Sequence, residues 1–213
     1  MITLYDYLPS QNAWKVRLLL NHLNQPYEQV LVAIFGGEGQ APDYRKVSPT
    51  GTVPAIRLDD GRVLSESNAI LMYLAEGTPY LPSDAYGRAK VYQWLSFEQE
   101  RVESQIGALR HWTMTGKLPR RPEFLVEMKR KAGLNALATL EAQLSDHDFI
   151  AGEQYTIADM SLFAYASRTE EAGISLAPFP AVRAWIARVE SQAGFLPTMH
   201  PYAIDPLSAN ELP

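Results

Sequence analysis

The chain has 213 residues, 46% of them hydrophobic and 20% charged, with a formal net charge of −5. That is the composition of a globular protein able to bury one large core or two small ones, and its acidic balance argues against nucleic-acid binding, which calls for a basic face. With no cysteine, disulfides, zinc–thiolate sites and protein thiol nucleophiles are excluded, so any thiol chemistry must use a sulfur that arrives with a ligand. The opening MITLYDYLPS has neither the basic flank nor the apolar run of a signal peptide. No apolar stretch approaches the roughly 18 residues of a membrane helix, so a cytoplasmic protein with no membrane partner is expected.

Residues 1–77 alternate strand and helix patterns. Ile2–Tyr7 is a β-branched and aromatic run that breaks at Pro9. Ala13, Val16, Leu19, Leu20 and Leu23 follow at helical spacing behind the capping residues Ser10 and Asn12. Pro26 ends that helix, and Tyr27–Val32 reads as a second strand. A glycine-rich stretch, Phe35–Pro42, precedes a short helix near Asp43–Val47. Ala55–Leu58 and Arg62–Ser65 are short strands about the hairpin signal Asp59-Asp60-Gly61. Ser65 is the expected cap of a helix carrying Ile70, Leu71, Tyr73 and Leu74. The order β-α-β, short helix, β-β-α specifies one compact α/β sheet.

Gly77, Pro79 and Pro82 mark a linker over residues 78–86. From 87 to 213 every periodic segment is helical. Helices are predicted over 87–115, with Val91, Leu95, Val102, Ile106 and Leu109 on one stripe, and over 122–144, 157–171 and Pro180–Ser191. Thr156-Ile-Ala-Asp159 has the form of a capping box with Asp in place of Glu.

Three local patterns carry chemistry. A proline directly before a strand, as in Val53-Pro54, can expose the Val53 N–H and C=O, so that a peptide ligand pairs there as a short extra strand; the plainer alternative is an ordinary strand start. Glu66-Ser67 opens a helix, where free N–H groups and the helix dipole favour an anion. Ser67 can donate to a carboxylate and Glu66 can accept from an ammonium group, a pair suited to an α-amino acid headgroup. Ser10 and Asn12 place a hydroxyl and an amide in the turn that opens the first helix, where such residues also serve simply as caps. The four histidines, His22, His111, His147 and His200, show no metal-ligand spacing, and no metal is expected.

Taken together, LYDYLPSQNAWKVRLLL, SPTGTVPAI (Ser48–Ile56), the Glu66-Ser67 pair within LSESNAILMYLAE, and TIAD (Thr156–Asp159) resemble the cytosolic glutathione transferase superfamily, in particular its bacterial serine-type (theta/delta/nu-like) members. The resemblance spans essentially residues 1–200. It implies a thioredoxin-like glutathione-binding domain over 1–77 and an all-helical domain over 87–213 that contributes the electrophile pocket. Ser10 falls where serine-type members carry the catalytic serine, and Asn12 falls where a related bacterial group has an amide; the choice between them stays open. Tyr5 and Tyr7 are lesser alternatives for the same role, since they lie within the strand and alternate with its other side chains. The resemblance further implies glutathione contacts from Gln40, Thr52, Val53, Pro54, Glu66 and Ser67, and a second-substrate pocket built from Leu8, Trp94, Phe97, Arg101 and Trp112, for which core or interface packing is the alternative. Where some bacterial relatives have cysteine, this chain has Ala13. Ser48 and Thr52 replace the residues that usually flank the glycine before Val-Pro, which leaves Gln40, Arg45 or Lys46 as candidates for the glycyl carboxylate.

A free thiol with pKa near 8.5 is only about 3% ionised at pH 7, and lowering that pKa by about two units takes roughly 2.7 kcal/mol. A hydroxyl donor to sulfur supplies about 1.5–3 kcal/mol and a helix N-terminus roughly another 0.3–1, so a small donor at this position is sufficient. The function implied is a glutathione transferase acting on a small hydrophobic electrophile, with peroxide or disulfide reduction also open, in a homodimer. The alternatives are a noncatalytic glutathione-fold binding module and a glutathione-dependent isomerase, although the doubled Ser-Cys signature of the maleylacetoacetate isomerases is absent from the first turn.

Overall fold

The computed structural model of the chain describes residues 1–197 and His200. It divides into two compact units, the first running from Met1 to Glu76 and including residues 193–197, the second from Gly77 to Gln192.

The first unit is a four-stranded sheet in the order β2-β1-β3-β4, built from β1 (Ile2–Asp6), β2 (Tyr27–Leu31), β3 (Ala55–Arg57) and β4 (Val63–Ser65). Strands β1 and β2 are parallel and joined by α1 (Gln11–His22); β3 and β4 are antiparallel additions. The period of two along a strand separates two cores. Leu4 and Ile56 face α1 and α3 (Ser67–Ala75), packing with Val16, Leu20 and Ile70. Tyr7, Val53 and Ala55 face the other way, with Val32, Val47 and Tyr44 of α2 (Pro42–Arg45).

The glycine-rich stretch is ordered as two 3₁₀ turns, Ile34–Gly36 and Glu38–Gln40. Gly39 meets Gly51 so closely that a Cβ on Gly39 would stand 2.3 Å from the Gly51 carbonyl oxygen. Only glycine on both sides permits that backbone contact.

The expected helical range 87–213 is shortened at its end. Asn21 and the Trp14 indole donate to the carbonyls of Gly194 and Leu196, and Phe195 meets Trp14 edge to face. These contacts tie the segment from Ala193 to α1.

In the second unit a continuous helical run comprises α4 (Ala85–Phe97), a segment with i→i+5 pairing (Glu98–Gly107) and α5 (Ala108–Met114). The stripe Val91, Leu95, Val102, Ile106 and Leu109 is buried, as its spacing predicts. The widened segment carries a fully buried carboxylate, Glu98, which accepts from Ser161 (3.1 Å) and Gln99 (2.8 Å). Helices α6 (Glu123–Asp146), α7 (Ile157–Ala166) and α8 (Pro180–Glu190) complete the unit. Every residue of α7 is buried, which makes it the central helix.

The helix expected over 157–171 stops at Ala166. The Ser167 and Thr169 hydroxyls return to the carbonyls of Phe163 (2.7 Å) and Ala166 (2.6 Å), and a 3₁₀ turn over Thr169–Ala172 follows. Among the described residues no helix is long and apolar enough to cross a membrane.

Candidate active site

Strand register gathers most of the candidate glutathione residues at one end of the sheet. Tyr5 pairs with Ala55 and Ala55 with Ser65. The C-terminal end of β1, the N-terminal end of β3 and the C-terminal end of β4 are therefore neighbours. The elements that leave or enter that end are the turn carrying Ser10, the Val53-Pro54 step and the start of α3.

Ser10 is the N-cap of α1, in extended backbone (φ −64°, ψ 121°), and its Oγ accepts from the Ala13 N–H at 3.2 Å. Capping uses the hydroxyl as an acceptor only; among the described residues nothing accepts its proton. The cap and donor roles weighed from the sequence are thus compatible in one side chain.

Asn12 lies in the first turn of α1, and its Oδ1 accepts from the Ser67 hydroxyl at 3.2 Å. That bond joins the first turn of α1 to the first turn of α3. The start of α3 is unusual. Its N-cap is Glu66 rather than the expected Ser65, with no side-chain capping bond and a backbone at φ 71°, ψ 115°. A side chain beyond Cβ is strained there, a condition that persists where surrounding structure imposes it.

The Val53-Pro54 peptide is cis. Extending the β1–β3 register from Tyr5 and Ala55 sets Val53 beside Tyr7, beyond the last paired residue. Thr52 is fixed through its carbonyl, which accepts from the buried Tyr44 hydroxyl at 2.8 Å, and its own hydroxyl lies 2.8 Å from that of Thr50. Burial raises the Tyr44 phenol well above its ordinary pKa, so it remains a donor. Gln40 is exposed and lies over Gly51, its Oε1 accepting from Arg45 at 2.8 Å. Lys46 pairs with Asp43 in solvent.

A buried ion pair that sequence reasoning missed holds the β1–α1 turn. Arg17 donates to both oxygens of the fully buried Asp6 at 2.6 Å and to the Leu8 carbonyl at 2.9 Å, while Gln29 donates to Asp6 at 2.6 Å. The available signal was an aspartate and an arginine on otherwise apolar faces of a strand and a helix.

Of the residues expected to form a second-substrate pocket, Trp94, Phe97 and Arg101 lie together in the helical unit, while Trp112 sits on α5 among other neighbours. Phe97 and Arg101 share a groove of about 240 Å³ between the widened segment and α6. Trp94, expected off the apolar stripe, is 3% exposed and packs edge to face on Phe97. Trp112 is covered by Arg121 and Lys129, whose charges stand 5.0 and 5.8 Å from its ring centre. Leu8 belongs to the sheet unit, half-buried in the turn before Ser10. Among the described residues no group of three or more His, Asp or Glu side chains is arranged to hold a metal ion.

A parallel β1-α1-β2 unit extended by an antiparallel hairpin, a cis proline at the sheet end and an all-helical second unit define a glutathione transferase fold. Residues 4–81 match the glutathione S-transferase N-terminal domain and residues 123–188 the C-terminal domain. The disulfide-bond oxidoreductase YfcG of Escherichia coli K12 is 30% identical over 199 residues, covering 90% of this chain and 91% of that protein. A glutathione S-transferase from Pseudomonas fluorescens superposes with a TM-score of 0.89 at 38% identity, over 92% of this chain and 98% of the other. A second family member from that organism, solved with two glutathione bound, gives 0.79 at 27% identity, over 91% and 89%. The chain belongs to the glutathione S-transferase family, whose enzymes use glutathione.

Proposed function

We propose that this enzyme ionises the glutathione thiol with the Ser10 hydroxyl and joins glutathione through its sulfur to a small hydrophobic electrophile. The observation that carries the reading is the Ser10 cap, which accepts from Ala13 and keeps a proton for an anion at the start of α1. Thiol ionisation sends its proton to solvent. The thiolate then accepts a hydrogen bond from Ser10 while the dipole of α1 adds to its stabilisation. Attack on an electrophilic carbon forms a C–S bond and expels the leaving group with its electron pair. The protein supplies activation and proximity rather than a general base.

The remaining roles follow the geometry of the sheet end. Val53 pairs its backbone with the cysteinyl residue of glutathione, beside the cis Val53-Pro54 step. Ser67 and the α3 N-terminus take the γ-glutamyl carboxylate, the Ser67 hydroxyl exchanging Asn12 for the carboxylate when glutathione enters, and Glu66 takes the ammonium group. Gln40 and Thr52 face the glycyl end. Asn12, bonded to Ser67, links the sulfur end to the headgroup end.

A second reading, disulfide reduction, is favoured by the likeness to YfcG, a disulfide-bond oxidoreductase, and by the relative solved with two glutathione bound. With no cysteine in the chain, a bound glutathione thiolate would attack the substrate disulfide and expel one thiolate. A second glutathione would then resolve the mixed disulfide, leaving oxidised glutathione and two substrate thiols. Turnover of a chloronitrobenzene against that of a mixed glutathione disulfide separates the readings. Conjugation faster than reduction supports transfer, reduction alone supports the second reading, and saturable glutathione binding without turnover of either would overturn both.

A further inference from the structure

The tip between α5 and α6 departs in charge from the rest of the molecule. Residues 117–131 hold six basic and two acidic side chains, a local excess of four positive charges in a chain of net charge −5. Within the segment Arg130 pairs with Glu127. Arg120, Arg121 and Lys131 stand exposed on the surface. Arg121 and Lys129 converge on the ring of Trp112, which brings the loop and the second turn of α6 together. Beside these cations are the least buried large apolar side chains of α6: Phe124 is 74% exposed and Met128 56%. Phe124, Met128 and Lys131 recur at i, i+4 and i+7, so they share one helical face.

Exposed apolar side chains set among cations at the start of a helix are the combination that seats in the headgroup layer of an anionic bilayer. We propose that this tip is a docking surface for an anionic lipid membrane, with Phe124 and Met128 entering the interface and Arg120, Arg121 and Lys131 engaging lipid phosphates. Charge complementarity selects this partner. Screening limits attraction to within about 8 Å of the surface at physiological salt. A bilayer offers a dense local array of phosphates to the basic segment, whereas a long polyanion that wraps the protein is repelled by its net negative charge. Exposed Phe and Met add apolar burial in a bilayer that a phosphate backbone does not offer.

The test is co-sedimentation of the full chain with vesicles of phosphatidylcholine alone, and of phosphatidylcholine mixed with phosphatidylglycerol. The expected result is binding to the mixed vesicles only, weakening as salt rises. The double substitution Arg120→Glu with Arg121→Glu should lower the partition coefficient at least about tenfold. Phe124→Ser with Met128→Ser should lower it with little change in salt dependence. Circular dichroism and glutathione turnover, both expected unchanged, confirm that each variant is folded. Equal binding to neutral vesicles, no binding at low salt, or undiminished binding by both variants overturns the proposal. So does salt-sensitive binding to RNA without binding to vesicles, or loss of self-association in the Phe124→Ser and Met128→Ser variant without vesicle binding by the parent.

Discussion

Two helices of this chain begin in opposite ways. At the start of α7 the Thr156 hydroxyl accepts from the Ala158 N–H, and the Asp159 carboxylate accepts from Thr156 N–H (2.9 Å), Ile150 N–H (2.8 Å) and the Trp185 indole (2.9 Å). Both residues are buried, so the cap is closed upon the protein itself. At the start of α3 the cap is Glu66, exposed, held at φ 71° and without a side-chain capping bond. A helix start satisfied from within serves stability. One left without a side-chain cap, on strained backbone and beside a second helix start at Ser10, is where the proposed function seats the anionic end of glutathione.

The largest effect is expected at the closed cap. Asp159→Ala leaves two backbone N–H groups and an indole N–H buried without acceptors, and should destabilise the protein by about 4 kcal/mol or prevent folding. Urea denaturation measures this; a change below about 1 kcal/mol would remove the contrast between the two helix starts.

The same carboxylate gives the next effect. Burial pushes Asp159 up to about 6, against hydrogen bonds that act in the other direction. Between its ordinary value of 3.8 and about 6 the native state therefore binds more protons than the unfolded chain. The Asp159 contribution is fully present below that window, and up to roughly 3 kcal/mol of it is lost as pH rises through 6. Asp159→Asn should remove this component from the pH dependence of the urea midpoint, and an unchanged profile would contradict the assignment.

At the open cap the effects fall on binding. Ser67→Ala should weaken glutathione about tenfold, or roughly 1.4 kcal/mol, by calorimetric titration, with the thermal midpoint nearly unchanged. A large stability loss with unaltered affinity would make Ser67 a structural residue. Glu66→Gly should have the smallest effect, and of opposite sign: relief of the φ 71° backbone stabilises by about 1 kcal/mol, while glutathione binding weakens. Destabilisation by this substitution would mean that the strain account of α3 is wrong.

What the sequence disclosed was mostly local. The capping box, the apolar stripe of the long helix and the strand–turn–helix signals each lie within a short window, where periodicity and cap chemistry act directly. Contacts between distant segments were not legible. The Asn12–Ser67 bond spans 55 residues and exists only because α1 and α3 lie on one face of the sheet. The Gly39–Gly51 approach, which orders a stretch that reads as loop, depends likewise on the fold. Ser65 reads as the better cap of α3, because serine caps and glutamate seldom does; strained backbone at Glu66 has no local signature. Trp94 falls off the helical stripe, yet it is buried because the core reaches beyond that stripe.

In the proposed function the start of α1 ionises a bound thiol through Ser10. The most direct test of this is an ultraviolet titration of the glutathione thiolate on the parent protein, Ser10→Ala and Asn12→Ala. The expected result is a bound-thiol pKa about two units below the free value of about 8.5, returning most of the way in Ser10→Ala and moving little in Asn12→Ala. An unshifted thiol on the parent protein, or a shift abolished only in Asn12→Ala, would contradict it.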